Sequence, residues 1–494
     1  MAPAAEDPRA VRPIEAELFI DGGFVASRGE ERQDAVSPAT GDRIGSFALG
    51  TPDDVDAAVA AARRAFRPWS RLTVFDRARH LEALASVLES RREELAALLA
   101  LEQGKPYHSD ALYEIDDCIE NFRFAIERGK YLEGAISPSA NPDRRALTIR
   151  VPKGVVATIQ PWNFPLGTAA SQIAPALITG NTVVALPPPS TTLIEVEFAR
   201  CFEQAGFPPG VFNLVTGLGA VVGNAMSGHP DVQAIAFTGS VATGRIVAAR
   251  AAGKAQLIEL GGNGPFVVLD DADLERAVTD GVYATCGSTG QSCTAAGRFL
   301  VHERVYDEFA ERLAAEMRDT VVVGDPFDER TTMGPLNNRP LAERLDAHLE
   351  DAKRAGAVAL LDGGRAEGFP TDLYYTPSVL ANVDDGMSVT VEETFGPIAP
   401  LQRISGEEEA LRLIDESPYG LTAAVYTRDI GRGLRFSEEA AVGVMCVNSP
   451  PGDVETHHTF GGHSGKHSGH GRILGSAAME DIYTETKFIS LTLG

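Results

Sequence analysis

Cysteine is scarce in this chain: five residues in 494, namely Cys118, Cys201, Cys286, Cys293 and Cys446. An odd, widely spaced set excludes a disulfide framework and points to a reducing compartment, where any one thiol is free to react. Positive charge is also in deficit. Lys and Arg number 44 against 69 Asp and Glu, a formal charge of −25. That balance excludes non-specific nucleic-acid binding and docking on an anionic membrane surface. A signal sequence is missing, because Met1 to Pro13 is rich in Ala, Pro and charge and has no apolar core. So is a membrane span. The run between Lys153 and Glu195 carries no charge, but Pro161, Pro165, Pro175 and Pro187, Pro188 and Pro189 interrupt it, together with Gln160, Asn163 and Asn181. It reads as a deeply buried α/β core. Internal repeats, low-complexity linkers and the common G-x-G-x-x-G phosphate fingerprint are absent too. We expect a soluble, cytoplasmic protein.

What is present is enough for two or three domains at roughly 150 residues each. Hydrophobic residues make up 44% and charged residues 23%, the composition of a globular chain. Residues 17–50 read as short strands and turns. Thr51-Pro52-Asp53-Asp54 reads as the cap of a helix that carries Val55, Val59, Ala62 and Phe66 on one face. Further helices are expected over 75–90, 92–103 and 109–130. From Val151 onward strands alternate with helices (154–159, 182–186, 211–215, 234–237, 256–260), the pattern of βαβ units in a parallel sheet. A second α/β set follows, with strands at 266–269 and 298–301 and helices at 274–285, 305–317 and 338–355. The last segment, 483–493, alternates like a strand and needs a partner outside its own domain.

Six stretches carry chemistry. In Gly290-Gln291-Ser292-Cys293, a Cys in a Gly/Ser/Thr-rich loop is a nucleophile candidate if its surroundings lower its pKa; an inert buried thiol is the alternative. In Ile258-Glu259-Leu260-Gly261-Gly262, a carboxylate among apolar residues at a strand end should have a raised pKa, which suits a general base for water. A solvated surface Glu is the competing reading. In Gln160-Pro161-Trp162-Asn163-Phe164-Pro165, two prolines fix the turn that would present the Asn163 amide to an oxyanion. Phe237-Thr238-Gly239-Ser240-Val241 reads as strand, turn and helix start, where a pyrophosphate could sit, although such turns are also ordinary loops. Glu392-Glu393-Thr394-Phe395-Gly396-Pro397 and Thr459-Phe460-Gly461-Gly462 complete the set.

With these six motifs in this order, the chain resembles the NAD(P)-dependent aldehyde dehydrogenase superfamily from about Leu18 to Leu493. The resemblance implies an α/β fold with a Rossmann-like cofactor domain (1–132 and 153–262), an α/β catalytic domain (263–478) and a small oligomerisation ribbon (133–152 and 479–494). In such proteins the ribbon pairs with the C-terminal strand of another subunit, as a homodimer or homotetramer. By the same resemblance Cys293 attacks an aldehyde, while Asn163 and the Cys293 backbone N–H hold the oxyanion. A thiohemiacetal becomes a thioester, and Glu259 activates the water that cleaves it to a carboxylic acid. Glu393 binds the nicotinamide ribose, Phe395 packs beside the nicotinamide, and Gly239 and Ser240 meet the pyrophosphate. Trp162 and Leu260 line the cofactor cleft. NAD or NADP is the implied cofactor, a small aldehyde the substrate, and no metal is implied.

The chain departs from the family pattern in four places. Leu186-Pro187-Pro188-Pro189 replaces the usual Lys-Pro-Ser-Glu, removing two groups that grip the adenosine ribose. Each lost charged hydrogen bond is worth about 1.5–3 kcal/mol. Loss of the Glu also removes a carboxylate that would repel a 2′-phosphate, so NADP is admitted. Gln172 and Ile473 stand where many members carry Lys and Glu on a proton-exit path; losing both keeps the site neutral. The Phe460–Gly469 loop has two extra residues, and five histidines cluster about it (His457, His458, His463, His467, His470). We read that loop as a substrate-side or subunit contact rather than a metal site. Ser171 occupies the position of an Arg in relatives that take succinate semialdehyde, and Gly167, Thr168, Ser292 and Thr294 leave room for a bulky or polar aldehyde. The cofactor-site losses also admit two non-redox alternatives: a thiol esterase built on Cys293 and Glu259, or a non-catalytic binding protein.

Overall fold

The computed structural model describes residues 12–493; the reading of the N-terminus falls largely on residues 1–11, outside them. Two parallel sheets dominate. The first has eight strands in the order Gly469–His470, Ala255–Leu260, Ala234–Gly239, Val155–Ile159, Thr182–Leu186, Phe212–Leu214, Leu18–Ile20, Gly23–Val25. Its five middle strands are parallel and the edges antiparallel. Val155–Ile159 and Thr182–Leu186 are buried along their whole length, which is why they do not alternate and are apolar but for Thr158 and Thr182, whose hydroxyls are hydrogen-bonded. Chain order reverses between Val155–Ile159 and Ala234–Gly239. That switch point opens a crevice at the carboxyl ends of the strands, where α/β sheets bind ligands.

The second sheet has seven strands, from Val358–Leu361 through Ser378–Ala381, Ile398–Ile404, Ala296–His302, Gly264–Val268 and Thr422–Tyr426 to Val444–Val447. Leu260 ends a strand of the first sheet and Gly264 begins one of the second, so three residues carry the chain from one sheet to the other. This short crossing sets the carboxyl edge of one sheet against the amino edge of the other. The strand Gly469–His470, within the span assigned to the catalytic unit, returns to pair with Ala255–Leu260.

Local rules account for the flanking layers. Thr51 caps the helix Pro52–Ser70 in a reciprocal capping box with Asp54, and Val55, Val59 and Ala62 are buried against the first sheet. The helix expected over 109–130 instead starts with a π turn, Tyr107–Ala111, before the regular Leu112–Gly129. The terminal strand Thr484–Thr492 does not wait for another subunit: it pairs antiparallel with Arg144–Pro152 of the same chain over nine residue pairs. Alternation predicted the strand, but a partner outside the chain was not required, because Ala135–Ser137 and Arg144–Pro152 complete a three-stranded ribbon. This ribbon leaves Ile136, Ile149, Phe488 and Leu491 exposed. Among the described residues no helix is long and apolar enough to cross a membrane.

Candidate active site

The crevice widens into a cavity of ≈ 880 Å³ lined from both sheets by Trp162, Asn163, Gly239, Ser240, Glu259, Leu260, Cys293, Glu393 and Phe395. All nine sequence-derived candidates therefore share one space.

The loop before Ala296–His302 places Cys293. Ser288 and Thr289 hold left-handed backbone (φ 48° and 59°), a strained conformation for residues other than Gly. Side-chain bonds hold it there: Thr289 Oγ1 donates to Gly334 O (3.0 Å), and Ser288 N–H and Oγ–H donate to Asp110 Oδ2 (both 3.2 Å). Gly290 is required, with φ +69° and its Cα so close to Gly396 that a Cβ would lie 2.4 Å from the Gly396 carbonyl carbon. Gln291 locks the turn: its Nε2 donates to Ser288 O (3.1 Å) and its Oε1 accepts from Asn337 N (2.8 Å). The Gly-Gln motif is thus the scaffold of the cysteine, and it packs on the Phe395-Gly396 turn, where Phe395 is itself left-handed (φ 62°).

Asn163 follows the strand Val155–Ile159. Its Nδ2 donates to Gln291 O (3.0 Å), which ties it to the cysteine loop and leaves its second amide hydrogen for a ligand. Its backbone carbonyl accepts from Lys105 Nζ (2.9 Å). Lys105 pairs with Glu114 (2.5 Å), both side chains fully buried, and sits 4.0 Å from the centre of the Phe164 ring. Glu114 Oε1 also accepts from the N–H groups of Leu166 (2.9 Å) and Gly167 (3.2 Å) at the start of the helix Pro165–Ile178. Sequence reasoning missed this pair. Charged residues normally read as surface, and nothing local signals that these two meet indoors.

Glu259 is buried with both carboxylate oxygens lacking a hydrogen-bond partner. Burial holds its carboxyl well above the usual range, opposed in part by Arg472. The Cys293 thiol, expected to be lowered, is instead pushed far up, by burial first and then by Glu259 and Glu393. The sequence pointed to polar neighbours; in the fold the nearest charges are two carboxylates. Burial also raises Glu393 to about 7, against a hydrogen bond that it accepts from Gly262 N (2.8 Å). Gly262 is squeezed from the other side, since a Cβ would come within 2.3 Å of Cys293 O. Across the cavity Phe395 meets Trp162 edge-on, 5.5 Å between ring centres. Ser240 caps the helix Val241–Arg250, its hydroxyl accepting from Thr243 N (3.3 Å), and Gly239, Ser240 and Thr243 face the cavity. That helix end suits a pyrophosphate. Leu186, Pro187, Pro188 and Pro189 make an apolar wall beyond it. The donor set fits a dinucleotide at its pyrophosphate and ribose contacts, while the adenosine end offers apolar surface only.

The departures also have definite places. Gln172 is fully buried, its Nε2 donating to Thr238 Oγ1 (3.0 Å) and its Oε1 unpartnered; Thr238 lies beside Glu259 on the neighbouring strand. Ile473 lines the cavity, as do Gly167, Thr168, Ser171, Ser292 and Thr294. In the lengthened loop Ser468 accepts from Gly420 N (3.0 Å) and donates to Gly261 O (2.8 Å), so the insertion leaves a tether to the three-residue crossing. Among the described residues no three His, Cys, Asp or Glu side chains are grouped to hold a metal ion.

Comparison with known proteins agrees across the whole length. The model of the aldehyde dehydrogenase family matches residues 24–489. An alpha-ketoglutaric semialdehyde dehydrogenase of Bacillus subtilis is 37% identical, covering 95% of this chain and 97% of the relative. The crystal structure of an NAD-dependent aldehyde dehydrogenase from Sinorhizobium meliloti superposes with a TM-score of 0.94 at 36% identity, covering 100% of this chain and 98% of the other. An E. coli NADP-dependent enzyme superposes with a TM-score of 0.93 at 35% identity, covering 97% and 98%.

Proposed function

The chain belongs to the aldehyde dehydrogenase family and oxidises an aldehyde with NAD or NADP, and on that premise we propose how its own residues divide the work. The observation that carries the reading is the meeting of Cys293, Asn163 and Glu259 in one cavity with Glu393 and the capped end of the helix Val241–Arg250.

Cys293 gives up its thiol proton to water in the cavity, and its Sγ adds to the aldehyde carbon, forming a C–S bond as the C=O π bond opens to an oxyanion. The free amide hydrogen of Asn163 and the Cys293 N–H hold the resulting oxyanion, donors fixed before reaction rather than recruited during it. When bound, NAD(P) supplies the acceptor for the hydride that leaves that carbon. Glu259 then takes a proton from water with one of its unpartnered oxygens. The hydroxide adds to the thioester, the C–S bond breaks, and a carboxylic acid leaves Cys293 as the thiol is regenerated. Glu393 holds the nicotinamide ribose, Phe395 and Trp162 wall the ring, Leu260 lines the cleft, and Gly239 and Ser240 receive the pyrophosphate. A neutral Gln172 and an apolar Ile473 remove both charged groups of the usual proton-exit path, so the proton taken up by Glu259 leaves by another route or thioester hydrolysis is slowed.

We assign 1–132 and 153–262 to the cofactor domain, 263–478 to the catalytic domain, and 133–152 with 479–494 to the oligomerisation ribbon; residues 1–11 and 494 of these spans lie outside the described residues. The exposed Ile136, Phe488 and Leu491 support contact between copies through that ribbon, as a homodimer or homotetramer in the cytoplasm. Isothermal titration with NAD and with NADP in one buffer, followed by an aldehyde panel read at the reduced-nicotinamide absorbance, tests the assignment. Micromolar binding and turnover that vanishes in Cys293→Ala are expected. Ester hydrolysis by Cys293 without binding of either dinucleotide would instead establish the non-redox reading.

A further inference from the structure

On the side of Cys293 away from Glu393, the cavity opens between the helices Leu112–Gly129, Pro165–Ile178 and Leu274–Cys286. Of the three carboxylates lining this opening, Asp110, Glu114 and Asp117, two are engaged. Asp110 accepts from Ser288, and Glu114 is paired with Lys105 and two backbone N–H groups. Asp117 lines the cavity one turn beyond Glu114, and its carboxylate has neither a hydrogen bond nor an ion pair among the described residues. A Cβ on Gly167 would come within 2.8 Å of Asp117 Oδ2, so the glycine leaves that oxygen its space. Tyr113 and Tyr283 flank the same mouth, both largely exposed.

The charge around them has one sign. Asp117, Glu120 and Asp453 act on Tyr113, and Asp110 and Asp453 on Tyr283. Among the described residues the only Lys or Arg lining the cavity is Arg344, and it acts on Glu393 and His348 at the opposite end. Burial, then Glu114 and Glu120, raise Asp117 to about 7, so a cation seated beside it would draw the carboxyl back to its ionised form. An anionic aldehyde tail would meet acids here and no Lys or Arg among the described lining residues. Ser171, in place of an anchoring Arg, spends its hydroxyl on Thr168 O (2.8 Å).

Resting on the reading of Cys293 as the aldehyde-binding nucleophile, we propose that Asp117, flanked by Tyr113 and Tyr283, seats a cationic substrate tail. The preferred substrates of this enzyme are aldehydes that carry an ammonium group. The carboxylate supplies the charge, and the tyrosine rings supply faces that attract a cation and tolerate its methyl groups.

The test compares betaine aldehyde with its uncharged carbon isostere, tert-butylacetaldehyde, and with succinic semialdehyde. Betaine aldehyde should exceed the isostere in kcat/KM by about tenfold or more, with the anion lowest. Asp117→Asn, an isosteric change, should bring the betaine-to-isostere ratio close to one. A ratio near one in the parent, or a ratio that survives Asp117→Asn, overturns the proposal. If no aldehyde is oxidised with either dinucleotide, the dehydrogenase reading fails by itself. The subsite is then read from alkylation of Cys293 by iodoacetamide: choline should slow it in the parent but not in Asp117→Asn, while its carbon isostere should not. Absence of choline protection in the parent overturns the subsite.

Discussion

Lys105→Met separates the support of the oxyanion donor from the donor itself. The Lys105–Glu114 pair is fully buried, and removing one partner leaves the other charge uncompensated indoors, at a cost of about 3–5 kcal/mol. With roughly 2.1 cal/mol/K of unfolding entropy per residue, a 494-residue chain has about 1 kcal/mol/K, so the thermal midpoint should fall by about 3–5 °C. The substitution also removes the donor at Asn163 O, letting the turn drift relative to Cys293. A displacement on the ångström scale costs about a hundredfold in rate, and kcat should drop by about 10- to 100-fold. Lys105→Met/Glu114→Gln divides the two effects. Its neutral Gln still has an oxygen for Leu166 and Gly167, so about half of the lost stability should return. The rate should not, because Asn163 O still lacks its donor. Differential scanning at one scan rate, with kcat at saturating NAD and aldehyde, reads both. A double variant with parental kcat, or Lys105→Met as stable as the parent, refutes the reasoning.

Three further outcomes are expected. Glu259→Gln should give a burst of reduced nicotinamide stoichiometric with Cys293, followed by steady turnover slower by about 10²–10⁴-fold; rapid-mixing absorbance measures it, and slow turnover without a burst would place Glu259 in an earlier step. Pro189→Glu, at the adenosine end of the cavity, should weaken NADP relative to NAD by about tenfold through like-charge repulsion with the 2′-phosphate; calorimetric Kd values for both dinucleotides decide it. Glu102, which accepts from Leu193 N (2.7 Å) and Ile194 N (2.8 Å), is raised by burial to about 8 from 4.5. The folded chain therefore keeps a proton that the unfolded chain releases. The associated stability is complete below pH 4.5 and is lost as pH rises toward 8. Glu102→Gln should lessen the fall in thermal midpoint between about pH 6 and pH 9, and an unchanged fall would assign it to other groups.

What could be read from the sequence follows from how local each cause is. The strand Thr182–Leu186 falls on its expected residues because a fully buried parallel strand is nearly all apolar, here Val183 to Leu186 after Thr182. Thr51 announces its helix through a cap completed three residues later. The Gly-Gln and Phe-Gly motifs were legible as motifs, whereas their reason, the contact between Gly290 and Gly396, lies in the fold. The in-chain partner of the terminal strand was not legible, since alternation gives a strand its faces and not its neighbour. Nor was the direction of the Cys293 shift, which depends on two carboxylates distant in sequence. Asp117 escaped notice for a similar reason: an acidic residue on a helix reads as solvated until a glycine on another helix is seen to leave it room.

The three-residue crossing between the sheets bears on how this molecule moves. Gly261 would drive a Cβ to within 2.2 Å of Glu393, Gly262 lies against Cys293 O, and Asn263 Nδ2 donates to Thr390 O (2.9 Å). A rotation of one sheet against the other has to bend this segment, and each of its residues is held by groups beside the second sheet. These contacts oppose hinge opening between the two sheets, and dinucleotide is expected to enter by side-chain and loop adjustment at the cavity rim. For the same reason neither sheet can lose its order without dismantling the site between them, so dinucleotide affinity and thiol reactivity should vanish in a single thermal transition.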